Sequence, residues 1–359
     1  MKNMRRGYLW VLLAICLMGC GGGGGEASAT PTPVEKQTLR FHNWDTYIDP
    51  QIIADFEEKY HAEVEYTIYD SDEDMVSELR EGQTYDLVVP SDFIVQILRE
   101  ENLLQQLDSS LLPNLDNLDE RFRNLIYDPG NRYCVPYQWG TVGIGYNKEA
   151  INGELNAWRD IFQDEYKGRI AFLNDYRTGM GIALIILGYS PNTTDGQQIE
   201  EAVAWYKEHN SYIGNYTGDN GQDLLVEGEY DIVLEWSGDI FQVMAEHDNI
   251  GYLIPNEGSI VWTDNICIPT NADNPELAHQ FINYLLEPEV GAQLSEYVQY
   301  GSPNKESVAL LPAAERDNMA IYPSEEVRDR LYYLFNVDQV TDAAYQQAWA
   351  DILVHHLNQ

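Results

Sequence analysis

The chain has 359 residues, with 59 Asp and Glu against 21 Lys and Arg, for a net charge of −38. A field of that sign repels nucleic acid and anionic lipid and favours the approach of small cations, so a nucleic-acid partner is excluded from the reading. The 44% hydrophobic content supplies sizeable cores, and the length suits two lobes better than one.

Lys2, Arg5 and Arg6 precede YLWVLLAICLMG, an apolar run too short for a comfortable membrane span. Leu17-Met18-Gly19-Cys20 resembles the lipobox of bacterial lipoproteins. Residues 1–19 therefore read as a signal peptide, and Cys20 as the lipid attachment site of an extracytoplasmic, membrane-anchored protein. Its removal takes three cations with it (−38 − 3 = −41). The glycine- and proline-rich residues 20–37 cannot form a core and read as a flexible tether. Cys16 leaves with the signal and Cys20 is lipidated, leaving Cys134 and Cys267. Outside the cytoplasm these can pair, but nothing in the sequence shows that they meet.

The body alternates strands with helices. LRFHNW reads as a strand, followed by an Asp49 cap, Pro50 and apolar residues at helical spacing: Ile52, Ile53, Phe56 and Tyr60. EVEYTIYD alternates as a second strand, and Ser71 with Asp74 forms a capping box for the next helix. YDLVVP is a continuous apolar run suited to a buried parallel strand, after which Ser91 caps a third helix. This βαβαβ order predicts an open parallel sheet. The pattern restarts after Tyr146: GRIAFLND runs into RTGMGIALIILG, and YDIVLEW into SGDIFQVMAEH. A last strand, SIVWTDNICIPT, leads to the helix PELAHQFINYLLEP. Two α/β sheets of one architecture, with a cleft between them, are expected.

In open α/β sheets ligands sit beyond the carboxyl ends of the strands. Those ends carry Trp44, Asp45 and Tyr47, then Ser91 and Asp92, then Asp175, then Trp236 and Asp239, then Trp262 and Asp264. Arg177 is the one basic residue close to them. Asp92, Asp175 and Asp239 could serve only as helix caps, worth roughly 0.3–1 kcal/mol each, and the tryptophans only as core. Carboxylates and indoles together, on strand mouths in both halves, fit an organic polycation better. An ammonium over an indole gains about 2 kcal/mol when desolvated. A charge-assisted hydrogen bond adds roughly 1.5–3 kcal/mol. A hard metal ion would need clustered oxygens, and an anion would need arginines or bare helix N-termini. No metal site and no cofactor are expected.

NWDTYI, YDLVVPS, PYQWGTVGIGYN, EYKG, LGYSPNTTD, EWSGD, WTDNICIP and YGSPN, spread over residues 38–352, resemble the spermidine/putrescine-binding proteins of bacterial ABC importers. The resemblance implies a two-lobed, type II periplasmic-binding-protein fold, with lobe 1 at 38–139 and 264–308 and lobe 2 at 140–263 and 309–359. Each lobe is then an open mixed sheet flanked by helices, with hinge crossings between them. It implies a polyamine ligand, permease subunits of an ABC importer as membrane partners, and a monomer without enzymatic activity. The family's contacts map onto Trp44, Asp45, Tyr47, Ser91, Asp175, Trp236, Asp239, Trp262, Asp264 and Tyr300. Asp264 and Asp239 would hold one ammonium and Asp175 a distal one. Asp45 stands where the family has Ser or Thr, Phe93 where spermidine binders have Tyr, and Thr178 where a second carboxylate is common. Asp239 follows the putrescine pattern, and the family's C-terminal polar contact falls on Phe335. The preferred amine is left open.

Two rivals compete. One is a receptor for another cationic organic solute, or for ferric ion held by some of the 25 tyrosines. The other is a thiaminase-like enzyme using Cys134, although no histidine motif accompanies that cysteine. His355 and His356, adjacent on a helix, point to different sides and read as solvated.

Overall fold

A computed structural model of the chain describes residues 36–218 and 220–358. The predicted signal peptide, Cys20 and most of the tether lie outside the described residues. The first predicted strands form β1 (Gln37–Asn43), β2 (Ala62–Ile68) and β3 (Leu87–Val88). β1 pairs in parallel with both, and the crossovers are α1 (Pro50–Tyr60) and α2 (Asp72–Arg80). Asp49 caps α1 by accepting the Gln51 N–H, and Ser71 caps α2 by accepting the Asp74 N–H. At α3 (Asp92–Glu100) the expectation fails: Ser91 occupies the cap position without capping, because its hydroxyl donates to Asp72 at 2.5 Å.

A long strand absent from the linear reading follows, β4 (Cys134–Asn147). Next come β5 (Ile170–Leu173), α4 (Tyr176–Leu187), α5 (Gly196–His209), β6 (Ile213–Thr217) and α6 (Gly221–Val226). β7 (Ile232–Trp236), α7 (Ser237–Met244), β8 (Ile250–Leu253) and β9 (Ser259–Cys267) complete the centre of the sheet. α8 (Pro275–Leu285), α9 (Pro288–Val298), β10 (Leu331–Tyr332) and a C-terminal helix, Gln339–Leu357, close the chain.

The strands are not two separate sheets. They run β2-β1-β3-β9-β4-β7-β5-β6, with β8 added to β4 and β10 to β9. β4 makes the join: Cys134–Thr141 pairs antiparallel with β9, and Val142–Asn147 with β7 and β8. One strand therefore serves both groups, β1–β3 on one side and β5–β8 on the other. Cys134 and Cys267, opposite each other in that pairing, are joined by a disulfide.

Two main cores flank the join. One gathers Phe41, Ile52, Phe56, Phe281 and Ile282 under α1 and α8; the other gathers Trp158, Phe172, Leu184, Tyr206 and Trp349. Each fully buried side chain of this kind contributes roughly 1.5–3 kcal/mol. Trp236 and Trp262 pack, half-buried, against both cores.

Candidate ligand site

Trp262 and Asp264 lie inside β9, not at a strand mouth as the linear reading had it. Two residues apart, they share one face of the strand. Their partners in β4 are Gly140 and Gln138. Gly140 is needed there, because a Cβ would stand 2.5 Å from the Trp262 ring and 2.8 Å from the Ser237 hydroxyl. Gly238 does the same for Tyr300, whose ring a Cβ would approach to 2.4 Å. Neither glycine was singled out in the sequence; the signal was a glycine beside or near an aromatic in PYQWG and EWSG.

Around these seats the aromatic residues assemble. Trp262 stands edge-on to Trp236 (centroids 5.9 Å apart) and to Tyr300 (4.9 Å). Tyr300 is edge-on to Tyr47 at 5.8 Å. Tyr47 comes from the loop after β1 and Trp236 from the end of β7, so both strand groups contribute. Tyr137, not predicted, fixes Tyr47 by donating to its carbonyl at 2.7 Å. Trp44 sits to one side, donating its indole N–H to Val89 O and packing on Tyr69 at 4.5 Å.

The acids are threaded through this wall. Tyr47 donates to Asp264 at 2.7 Å, and Tyr300 donates to Asp239 at 3.0 Å. Burial pushes both the Tyr47 phenol and the Asp264 carboxyl well above their ordinary values, so Tyr47 is a neutral donor. For Asp264 the Tyr47 hydrogen bond opposes that rise, while the charges of Asp72 and Asp92 add to it. Ser91 bridges to Asp264 through the backbone and donates to Asp72. Among the described residues, no ion pair involves Asp72, Asp92 or Asp264. Asp72, Asp92 and Asp264 are thus carboxylates beside an aromatic frame that no cation among the described residues pairs, which suits capture of an organic cation.

The other residues read from the sequence make different contacts. Asp45 is exposed and accepts the Thr46 N–H. Asp92 is 2% exposed, its carboxylate turned onto the N–H groups of Phe93 and Thr263. Asp175 caps α4 by accepting the Thr178 N–H at 2.6 Å, as its plain structural role would have it, yet its charge still reaches Asp72 and Glu73. Arg177 is drawn away: it is 2% exposed, lies 4.6 Å over the Tyr345 ring and donates to Asn192 and Phe335. His356 is not fully solvated; it shares a hydrogen bond with Asn210 and meets the Tyr216 ring edge-on. No group of three or more His, Cys, Asp or Glu among the described residues is arranged to hold a metal ion. A tight void beside Val135, Tyr137, Ile282 and Pro303 includes none of the predicted residues and is a packing gap of the first core.

A mixed sheet shared through two long strands, with polar and aromatic side chains gathered from both strand groups, defines a type II periplasmic-binding-protein fold. The chain belongs to the bacterial extracellular solute-binding protein family, whose profile matches residues 51–320. It is 36% identical over 295 residues to the spermidine/putrescine-binding periplasmic protein of Escherichia coli (strain K12), covering 81% of this chain and 85% of that one. A putrescine-binding periplasmic protein of Pseudomonas aeruginosa is 30% identical, with coverage of 89% and 92%. Among solved structures, a putative spermidine/putrescine ABC transporter protein from Listeria monocytogenes superposes with a TM-score of 0.84 at 35% identity. That match covers 89% of this chain and 100% of the other.

Proposed function

We propose that this protein is an extracytoplasmic receptor that binds a polyamine, putrescine or spermidine or both, and delivers it to an ABC importer. The observation that carries the reading is Asp264: a buried carboxylate, hydrogen-bonded to a neutral Tyr47 and beside the rings of Tyr300 and Trp262, with no cation among the described residues paired to it. An ammonium arriving there replaces lost solvation with a charge-assisted bond, while the rings cover the methylenes at about 0.8 kcal/mol per CH₂. The names of the relatives support the same ligand class.

In this proposal lobe 1 comprises 38–139 and 264–308, and lobe 2 comprises 140–263 and 309–359. β4 and β9 act as the crossings, and closure follows from contacts available only when both lobes meet the ligand. Cys20 carries the lipid anchor, permease subunits receive the ligand, and the receptor works as a monomer without catalysis. The cysteine-enzyme alternative loses its nucleophile to the Cys134–Cys267 disulfide. Mass spectrometry of small molecules released from the purified protein tests the reading. A diamine or triamine at near-stoichiometric amount is expected, and a non-amine solute or bound iron at that level rejects it.

A further inference from the structure

The turn from Trp44 to Tyr47 follows β1 and carries two aromatic side chains, and its shape is a strained one. Thr46 sits at a φ of 49°, in the left-handed region, where a β-branched residue persists only when its surroundings hold it. Side chains do the holding. Asn43 accepts the Trp44 N–H at 2.9 Å, and Asp45 accepts the Thr46 N–H at 2.8 Å. Tyr137, on β4, donates to the Tyr47 carbonyl at 2.7 Å. Tyr66, on β2, donates its hydroxyl to the Trp44 carbonyl at 2.9 Å. Tyr66 stands opposite Phe41 in the β1–β2 pairing, its ring edge-on to Phe41 at 5.4 Å, so the sheet itself fixes where that hydroxyl reaches. The side chains the turn carries then find two further anchors: the Trp44 indole N–H donates to Val89 O, and Tyr47 donates to Asp264.

Resting on the polyamine reading above, we propose that Tyr66 is a positioning residue of the ligand site: its hydroxyl holds the Trp44 carbonyl and so presets the turn that aims the Tyr47 hydroxyl at Asp264. It acts without touching the ligand. Tyr66 grips the start of the turn and Tyr137 its end, so the turn is clamped between β2 and β4. A turn already held in the binding geometry loses little freedom when ligand arrives, whereas a turn loose at one end must be ordered during binding. Without the Tyr66 bond the conformation at Thr46 has one restraint fewer, and relaxation there lets Tyr47 leave Asp264.

Tyr66→Phe removes the hydroxyl and leaves the ring against Phe41, so the fold is kept. Calorimetry of the full chain with putrescine and spermidine is expected to show at least about a threefold loss of affinity for whichever amine the unaltered protein binds, and about tenfold when Tyr137→Phe is added. Tyr206→Phe supplies the comparison. It deletes a buried hydroxyl that donates to Gly179 O at 2.8 Å in the other core, so stability falls while affinity stays within about twofold. Hydrogen exchange gives a second readout: deuterium uptake across residues 43–48 of the free protein should rise in Tyr66→Phe and return to the unaltered level on saturation with ligand. A loss of affinity smaller than about threefold in Tyr66→Phe overturns the proposal. So does an equal loss in Tyr206→Phe, which would trace the effect to stability alone, or unchanged uptake across the turn. If neither amine binds the unaltered chain, the polyamine reading itself falls and takes this inference with it.

Discussion

The Tyr47 hydroxyl donates to the Asp264 carboxylate at 2.7 Å across 217 residues of sequence. This bond ties the loop after β1 to the middle of β9 and puts a hydrogen-bonded acid among the rings of Tyr47, Tyr300 and Trp262. Asp264→Asn retains an oxygen to accept from Tyr47 but removes the charge. Polyamine affinity is expected to fall at least tenfold, about 1.4 kcal/mol, measured by calorimetry. The melting temperature of the free protein should hold, since the amide keeps the hydrogen bond from Tyr47 in a site where burial already disfavours the charged acid. A lower melting temperature with unchanged affinity would make Asp264 a structural residue.

Gly140→Ala tests the seat of Trp262. The added carbon meets the indole at 2.5 Å, so the ring must move. Overpacking of this kind costs roughly 1–3 kcal/mol of stability, and a displaced wall should lower affinity by about tenfold. Tryptophan emission should shift along with the affinity. Unchanged emission and affinity would mean that Trp262 has no part in holding the ligand.

Much of this arrangement was legible in the sequence, for definite reasons. Asp49-Pro50 and Ser71 announce their helices because capping is local chemistry. Ser91 shows where local signals stop: it stands at a helix start, but Asp72, distant in sequence, takes its hydroxyl. β4 went unread because its two halves pair with different strands, and no linear period records a change of partner. Trp262 and Asp264 read as strand-end residues, yet they lie inside β9, on one face because they are two residues apart, where Gly140 and Gln138 of β4 pair with them. Arg177 was expected near the site, but its contact with the Tyr345 ring depends on the C-terminal helix, more than 160 residues away in the chain.

Free-protein stability should fall as pH rises through neutrality. Burial raises Asp92 to about 8 and Asp72 to about 7, so the folded form holds their protons more firmly than the unfolded chain does. Stability from these groups is complete below the unfolded aspartate value and is lost as pH climbs through 7 and 8. The limit is about 1.4 kcal/mol per pH unit for each group. Thermal melts of the free protein at pH 6 and pH 8 should show the lower value at pH 8, and Asp92→Asn should flatten the difference. A higher melting temperature at pH 8 would contradict this.

The Cys134–Cys267 disulfide spans 133 residues and clamps β4 to β9 beside the join. Reducing it should cost about 2–4 kcal/mol, seen as a lower melting temperature. Peptide mapping after thiol labelling should find both cysteines unreactive until a reductant is added. Rapid labelling of Cys134 in the untreated protein would revive the nucleophile alternative.

Calorimetric titration of the unaltered protein with putrescine and spermidine near pH 7.5 bears on the ligand class itself. Saturable one-to-one binding of at least one of them at micromolar or tighter dissociation constant, about −8 kcal/mol or better, is predicted. No heat of binding from either amine at submillimolar concentration, in protein shown to be free of co-purified ligand, would contradict a polyamine receptor.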